Sequence, residues 1–363
     1  MRADDINVLV GRMEGDGNIE IIETELPMNI GELSSNLSAP STLYGAITNG
    51  ARRLRKNGRP IFEPWNSCII IEAADQIRSM TIYRKPTFTG QVWELDQIGF
   101  GGYPLGMPYV GEQTFVGADP LAIWRHIWDH LQGQPYGNLG VTLGSASSPV
   151  RIGDPPSPDD TGQDGPFRLN WWETTNLGGV IDTLTQSTPF DWRESFYWDG
   201  EQPRCHLEAA WPIIGQRRDE YRLVLGENLA EVPTLTESDF VSEVHVLGAG
   251  EGRERVRGFS AVSPGRIRRA TVVDDKGITH NLEANAVARD ELVAARGGVL
   301  IDSVVVYDHP NAPLEAIQLG DELPLYAETD WMEVDRYVRV IGKSESPQEH
   351  DRATLTLVGV SAL

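Results

Sequence analysis

Two stretches of the chain, residues 67–116 and 241–358, are built from short runs of β-branched and aromatic residues cut apart by glycine, proline and other turn formers. Runs of that length cannot make long helices; they read as strands of antiparallel sheet. In the first stretch, Cys68-Ile69-Ile70-Ile71-Glu72, Met80-Thr81-Ile82-Tyr83 and Gln91-Val92-Trp93-Glu94-Leu95 predict successive strands of a meander, which Gly99, Gly101, Gly102, Pro104 and Pro108 then stop. In the second, Val241 to Val246 alternates with a period of two, Gly248 to Gly252 intervenes, and Val256 to Val262 follows as another strand. Four more strands are expected at 300–307, 322–327, 335–341 and 353–358, with a short helix around 288–295 before them.

The segment between these stretches has a different period. Asp119 can cap, Pro120 suits a first helical position, and Leu121, Trp124, Ile127, Trp128 and Leu131 recur at three- and four-residue spacing, so a helix with one buried face is expected there. Residues 133–138 stop it, and 139–143 reads as one strand. Arg151 to Gly165, rich in Pro, Asp and Gly, is expected to be a surface loop. A second helix is expected at about 175–186 on the stripe Leu177, Val180, Ile181 and Leu184, ended by Thr188-Pro189. Strands follow at 191–194, 196–198 and 207–211, with Asp199-Gly200 as a turn.

Residues 1 to about 60 read as extended and loop-like, with a short alternating piece at Ile19-Glu20-Ile21-Ile22-Glu23 and a polar stretch from Gly31 to Ser41. They end in a basic cluster, Arg52, Arg53, Arg55, Lys56 and Arg59, which is either a solvated turn or a patch that docks on an acidic neighbour. The chain around it is strongly acidic: 31 Lys and Arg against 53 Asp and Glu leave a net charge of −22 over 363 residues. That balance opposes stable binding to a phosphate backbone, whose affinity comes from cations displacing counterions, and opposes docking on an anionic membrane. Apolar residues at 40% and charged residues at 23% are ordinary for a folded protein, and the length suits two or three domains. The N-terminus lacks the pattern of a secretory signal and no stretch is long and apolar enough for a membrane helix, so synthesis in a reducing cytoplasm is expected.

Five places in the sequence could carry chemistry. The two cysteines, Cys68 and Cys205, are too few and too isolated for a disulfide framework or a metal site and are expected as buried thiols. Cys205 adjoins His206, but neighbours on a strand point to opposite faces and cannot pair as nucleophile and base. His126 and His130 share one face of the first helix, opposite its apolar stripe; position 127 is Ile where a zinc protease carries its Glu, so a solvated or interface-facing pair is expected instead of a metal site. Gly248-x-Gly250 follows a strand but leads into Arg253-Glu254-Arg255-Val256-Arg257, which alternates as a strand, so a hairpin turn is expected where a nucleotide loop would open a helix. Glu173 after Trp171-Trp172, Glu194 after Trp192, and Asp199 with Glu201 after Trp198 are the carboxylates a glycosidase could use. Aromatic core residues beside exposed acids explain the same pattern.

Three stretches, in this order and spacing, resemble the tail-hub minor tail proteins of long-tailed phages, especially those infecting actinobacteria. The first is Ala118 to Gln132 (ADPLAIWRHIWDHLQ) with Gly137-Asn138-Leu139-Gly140-Val141. The second runs from Phe190-Asp191-Trp192-Arg193-Glu194 through Trp198-Asp199-Gly200 to Leu207-Glu208 and Gly226-Glu227-Asn228-Leu229. The third is Val244 to Gly252 (VHVLGAGEG), followed by the late helix and strands with Leu319-Gly320-Asp321. The match covers roughly residues 65–345, and its motifs belong to a scaffold and carry no active residues.

The resemblance implies a β-rich α+β, multidomain tail-hub fold: an extended arm (1–65), a β-barrel-like domain (66–117), an α/β middle domain (118–235) and a second β-barrel-like domain (236–363) with a short helix near 288–296. It implies a homotrimer at the tail tip of the virion. This trimer would join the tail tube, the distal tail protein and the tape measure protein to receptor-binding or fibre proteins, around a channel through which DNA passes without specific binding. No cofactor, metal or membrane insertion is implied. Since the chain ends just past the last scaffold strand, no cell-wall-degrading domain is expected. A carbohydrate-active enzyme or glycan-binding module of the host envelope is the alternative that the Trp and acid pairs keep open.

Overall fold

The computed structural model describes residues 6–24, 29–48, 55–56, 59–88, 92–155, 165–188, 190–231, 235–237, 241–262, 267–278, 280–294, 299–301, 303–330, 332–346 and 351–360. Its centre is one twelve-stranded sheet. From one edge the order is Leu223–Val224, Glu322–Thr329, Met332–Glu345, Asn29–Asn36, Ala39–Thr48, Val92–Gly99, Gln76–Phe88, Ser67–Ala73, Ile6–Met13 and Ile19–Glu23. Arg352–Gly359 also pairs with Met332–Glu345, and Ser303–Tyr307 lies beyond it. The meander expected at 67–99 is present as three consecutive antiparallel strands.

The first 48 residues depart from the sequence reading. Instead of an extended, loop-like arm, they supply four strands that are integral to the sheet: Ile6–Met13 pairs along its length with Ser67–Ala73, and Ala39–Thr48 with Val92–Gly99. Ile6–Met13 and Ile19–Glu23 carry β-branched residues, the second in an alternating piece, whereas Asn29–Asn36 mixes Asn, Glu, Ser and Gly and shows no local strand pattern; long-range partners join all four into one sheet. Pairing of Met332–Glu345 with Asn29–Asn36 then joins late strands to early ones, so the sheet crosses the expected boundaries near 65 and 235. Of the basic cluster, 51–54 lie outside the described residues, while Arg55–Lys56 pairs with Arg59–Pro60 in a minimal hairpin.

Burial on both faces explains why 68–71 is continuously apolar. Val8, Val10, Ile69 and Ile71 point to one side, where they meet Ile22, Ile30, Leu43 and Tyr83 in one cluster, so the sheet curls over this face. Leu9, Cys68, Ile70, Met80 and Ile82 point to the other side, into the largest core. That second side is covered by helix α1 (Pro120–Gln132), whose Leu121, Ile123, Trp124, Ile127, Trp128 and Leu131 are buried. Asp119 caps it, accepting from Leu121 N at 3.0 Å, and also holds Ser148 through its amide and hydroxyl. Helix α2 (Leu177–Ser187) begins at Asn176, whose Oδ1 accepts from Gly179 N. Gly178 there is a packing requirement, because a Cβ would run into Leu105.

The hairpin Asp191–Asp199 and Gln202–Ala210 closes this layer, one continuous strand replacing the two expected at 191–194 and 196–198. The strand expected at 139–143 is reduced to Thr142–Leu143, parallel to the second arm of the hairpin. Residues 156–164 of the expected loop lie outside the described residues. A second core forms where Leu223, Leu229, Val304 and Val306 meet Leu323, Leu325, Val338, Val340, Leu355 and Leu357.

Residues 241–294 make a separate small unit. Glu243–Leu247 pairs antiparallel with Arg257–Ala261 and parallel with Ala270–Asp274, and helix α3 (Asn281–Ala294) lies on one face. α3 is longer than the helix expected at 288–296. Its inner face is Ala284, Ala288 and Leu292, and alanines carry too weak an apolar signal to mark a buried stripe. They allow close approach: Gly258 packs directly on the carbonyl of Ala284.

Candidate functional site

Parts of the three motifs behind the resemblance turn out to be joints between distant parts of the chain, whereas Val244 to Gly252 stays within the unit of 241–294. In the first, Asn138 grips the turn between the two N-terminal strands: its carbonyl accepts from Gly17 N at 3.1 Å and its Nδ2 donates to Asp16 O at 2.9 Å. The adjoining Gly140 has a positive φ of 66° and lies against the Gly17 carbonyl, where a side chain would not fit. Arg204 from the hairpin donates to the same carbonyl.

The second and third motifs meet each other. Asp191 Oδ2 takes the Arg339 guanidinium and the amide of Ile214, the latter at 2.8 Å. Arg339 also donates to Ile214 O and Gly320 O, while Arg193 donates to Leu319 O at 3.0 Å and pairs with Glu208. Gly215 and Gly320, both at positive φ, press backbone on backbone. Beside them the buried Asp321 accepts from the amides of Gln216 and Gln318 and lies 3.4 Å from Arg218. Asn228 is a third joint: fully buried, it accepts from Val224 N, donates to Arg222 O, and its carbonyl takes Tyr307 N. Most of the polar groups in these joints hold backbone of a distant segment, and the rest pair with one another.

The candidate catalytic residues are dispersed. Glu194 is locked in the interior: its oxygens accept from Ser41 N at 2.8 Å, Ser41 Oγ at 2.5 Å and Gly101 N at 2.5 Å. Burial pushes its pKa up, and these three donors pull it back only in part. Gly99 and Gly101 leave room for that carboxylate, so Glu194 staples three segments and has no access to a substrate. Glu173 is exposed in the turn after Phe167–Asn170, held by Asn170 Nδ2 at 2.9 Å. Asp199 and Glu201 are exposed at the tip of the hairpin.

Both cysteines are buried thiols, Cys68 pushed up to about 12 by burial and Cys205 pushed well above its ordinary value by burial and the nearby Glu194 charge. His206 faces the other side of its strand and meets Thr142 Oγ1 at 2.8 Å. Gly248 to Gly252 forms the expected hairpin connection with a single 3-10 turn at Gly252–Glu254.

The histidine pair, expected to be solvated or to face an interface, is half-buried under another segment of the same chain. Segment 109–115 crosses that side of α1: Tyr109 stacks on His130 with centroids 4.1 Å apart, its hydroxyl lies 2.9 Å from His126 Nε2, and Phe115 meets the His126 ring edge-on. His130 Nε2 accepts from Val110 N at 3.1 Å, which requires an unprotonated nitrogen there. Burial lowers both pKa values; Asp129 offsets this slightly for His126, and the His126 charge lowers His130 further. A depressed folded pKa means that the unfolded chain binds more protons below about 6.5, so the pair's contribution is present at neutral pH and is lost as pH falls. Thermal unfolding is expected to show a larger drop in Tm from pH 7.5 to 5.5 for the natural chain than for a His126→Gln, His130→Gln variant; equal drops would show that the pair does not titrate against folding.

Among the described residues no group of three or more His, Cys, Asp or Glu is placed to hold a metal ion, and no helix is long and apolar enough to cross a membrane. Trp171 and Trp172 are exposed by 61% and 49% and set edge to face, with Trp171 N bonded to Gly111 O, and form an apolar knuckle.

No sequence-family profile matches the chain, and no curated protein matches it by sequence. Solved structures match it along its length. The 43 kDa tail protein of prophage MuSo2 from Shewanella oneidensis aligns over 97% of this chain and 98% of its own, with a TM-score of 0.57 at 10% identity. A tail protein from Neisseria meningitidis aligns over 98% and 97%, with a TM-score of 0.54 at 13% identity. The prophage tail protein gp18 of Listeria monocytogenes aligns over 98% and 95%, with a TM-score of 0.53 at 11% identity. The chain therefore has the β-rich fold of phage tail proteins. At such identities a fold can persist while surface chemistry is replaced.

Proposed function

We propose that the chain is a structural minor tail protein that forms a trimeric hub at the tip of a long-tailed phage of actinobacteria. The observation that carries this is end-to-end agreement with tail proteins, 97% of this chain against 98% of one of them, together with motifs whose polar groups are spent on joints. In this role two β-barrel-like portions per chain alternate about a threefold axis. The ring continues the tail tube, contacts the distal tail protein and tape measure protein, and carries receptor-binding or fibre proteins outside. The chain is not an enzyme on this reading, and it resides at the tail tip of the virion. Light scattering on the purified protein at micromolar concentration tests it: a mass of three chains is expected, and a monomer with and without tail partners contradicts it.

The net charge of −22 fits a wall that repels phosphates, so that DNA leaves the particle without sticking. Reversing acids that face the channel to Lys is expected to slow genome ejection, measured by dye release from purified particles; unchanged kinetics would sink this part of the proposal. The exposed Trp171-Trp172 pair beside Glu173 favours one second reading, a glycan-binding surface. Retention of the natural chain, and loss of retention in Trp171→Ala, on host cell-wall polysaccharide would support it.

A further inference from the structure

Two kinds of contact hold the strap formed by residues 109–115. Backbone bonds stitch it to the stretch that follows Gly165: Tyr109 N donates to Thr174 O at 2.9 Å, Trp171 N donates to Gly111 O at 3.0 Å, and Glu112–Phe115 pairs antiparallel with Phe167–Asn170. Side chains fasten the same strap to α1. Tyr109 and Phe115 lie against the two histidine rings, and the amide of Val110 donates to His130 Nε2 at 3.1 Å. Through the carbonyl of Gly111 the strap also carries Trp171, the first of the exposed tryptophan pair.

The two histidines respond differently to a proton. His126 Nε2 lies 2.9 Å from the Tyr109 hydroxyl, which can donate or accept, so that bond survives protonation. The Val110 amide can only donate. Once His130 Nε2 carries a proton, two donors face each other and the bond is lost, leaving both without an acceptor. The Tyr109 ring stacked on His130 attracts a cation but cannot accept that proton, which points at Val110 N. Nor do the surrounding charges compensate. On α1, Asp129 acts on His126, and Arg125 donates to Ala146 O. Glu112 on the strap alternates outward, away from the inward Gln113 and Phe115, and Arg168 on the paired strand is exposed opposite Thr114. Glu173 is exposed and held by Asn170; beyond Phe115, Asp154 is exposed and Arg151 donates to the carbonyls of Ser148 and Val150. The charge that acts on His130 is that of His126, 6.4 Å away between ring centroids, and it opposes a second proton.

We propose that His130 is an acid-sensitive latch: neutral, it holds the strap 109–115 closed on α1, and protonated, it frees the strap around Val110 and lets the exposed Trp171-Trp172 pair shift with it. Burial and the His126 charge hold the titration of His130 below the ordinary imidazole range, so the latch is closed at neutral pH and opens as pH falls below about 6.5. The latch is local and belongs to the single chain, so it stands or falls apart from the trimer. Hydrogen exchange on the whole chain, corrected for the intrinsic pH dependence of exchange, tests it. From pH 7.5 to 5.5, protection of residues 109–115 is expected to fall about tenfold in the natural chain, while that of α1 stays constant. His130→Gln keeps an uncharged acceptor for Val110 N and is expected to show no fall. His126→Gln is expected to keep the fall and to move its midpoint to higher pH, because the opposing charge is gone. No fall in the natural chain, an equal fall in His130→Gln, or abolition of the fall by His126→Gln would each overturn the latch. If His130→Gln does not fold, NMR of the His130 ring in the natural chain decides: the ring is expected to titrate over the pH range in which the strap loses protection, and a ring that stays neutral while the strap opens would overturn the assignment.

Discussion

Replacing Trp124 with alanine is expected to lower the unfolding free energy by about 3–5 kcal/mol, among the largest effects of any single truncation in a core. Trp124 is fully buried at the centre of α1, in the cluster that joins α1 and α2 to the inner face of the main sheet. Removing the indole leaves a cavity that rigid strands on one side and the hairpin on the other cannot fill. Its Nε1 has no hydrogen-bond partner, so Trp124→Phe removes an unpaired buried donor along with part of the ring and is expected to cost much less than Trp124→Ala. Urea unfolding followed by circular dichroism checks both; a Trp124→Ala midpoint equal to that of the natural chain would show that α1 is not part of the main cooperative core.

The second large effect is expected at Arg339. Its side chain and that of Asp191 are 13% and 16% exposed, and the guanidinium also holds the carbonyls of Ile214 and Gly320. Arg339→Met leaves a half-buried carboxylate and two carbonyls without their cation, and is expected to cost about 3–5 kcal/mol. Adding Asp191→Asn removes the stranded charge while an amide oxygen remains for Ile214 N, so the double variant is expected to be more stable than Arg339→Met alone. If the double variant were destabilised by the full sum of the single changes, the two residues would not act as a pair. Because this pair ties the hairpin Asp191–Asp199 to the strand Met332–Glu345, limited proteolysis of Arg339→Met should open the connection after Ala210 first.

Residues with strong local signals were legible in the sequence. The α1 stripe with its Asp119 cap, the meander of 67–99 and the late strands all follow from spacing and turn formers, because their apolar residues are large and regularly placed. Of the four strands of 6–48 only the alternation at Ile19–Glu23 was legible; Asn29–Asn36, for one, has mixed side chains and partners up to 312 residues away. The long α3 was missed because its buried face is largely alanine. The joints show the same division. Asp191, Arg193, Asn138 and Gly320 stand out in the sequence, whereas Arg339, Ser41 and Arg204 carry no local signal and gain meaning only from the residues they meet. Glu194 shows the reverse: its place after a tryptophan suggested a catalytic acid, and three donors from remote segments make it a structural staple.

Imaging the particle at its tail tip tests the central proposal most directly. Three copies of the twelve-stranded sheet arranged about the tail axis, with a channel between them, are the expected result. A tail tip without this fold, or the chain located elsewhere in the particle or absent from it, would contradict the hub proposal.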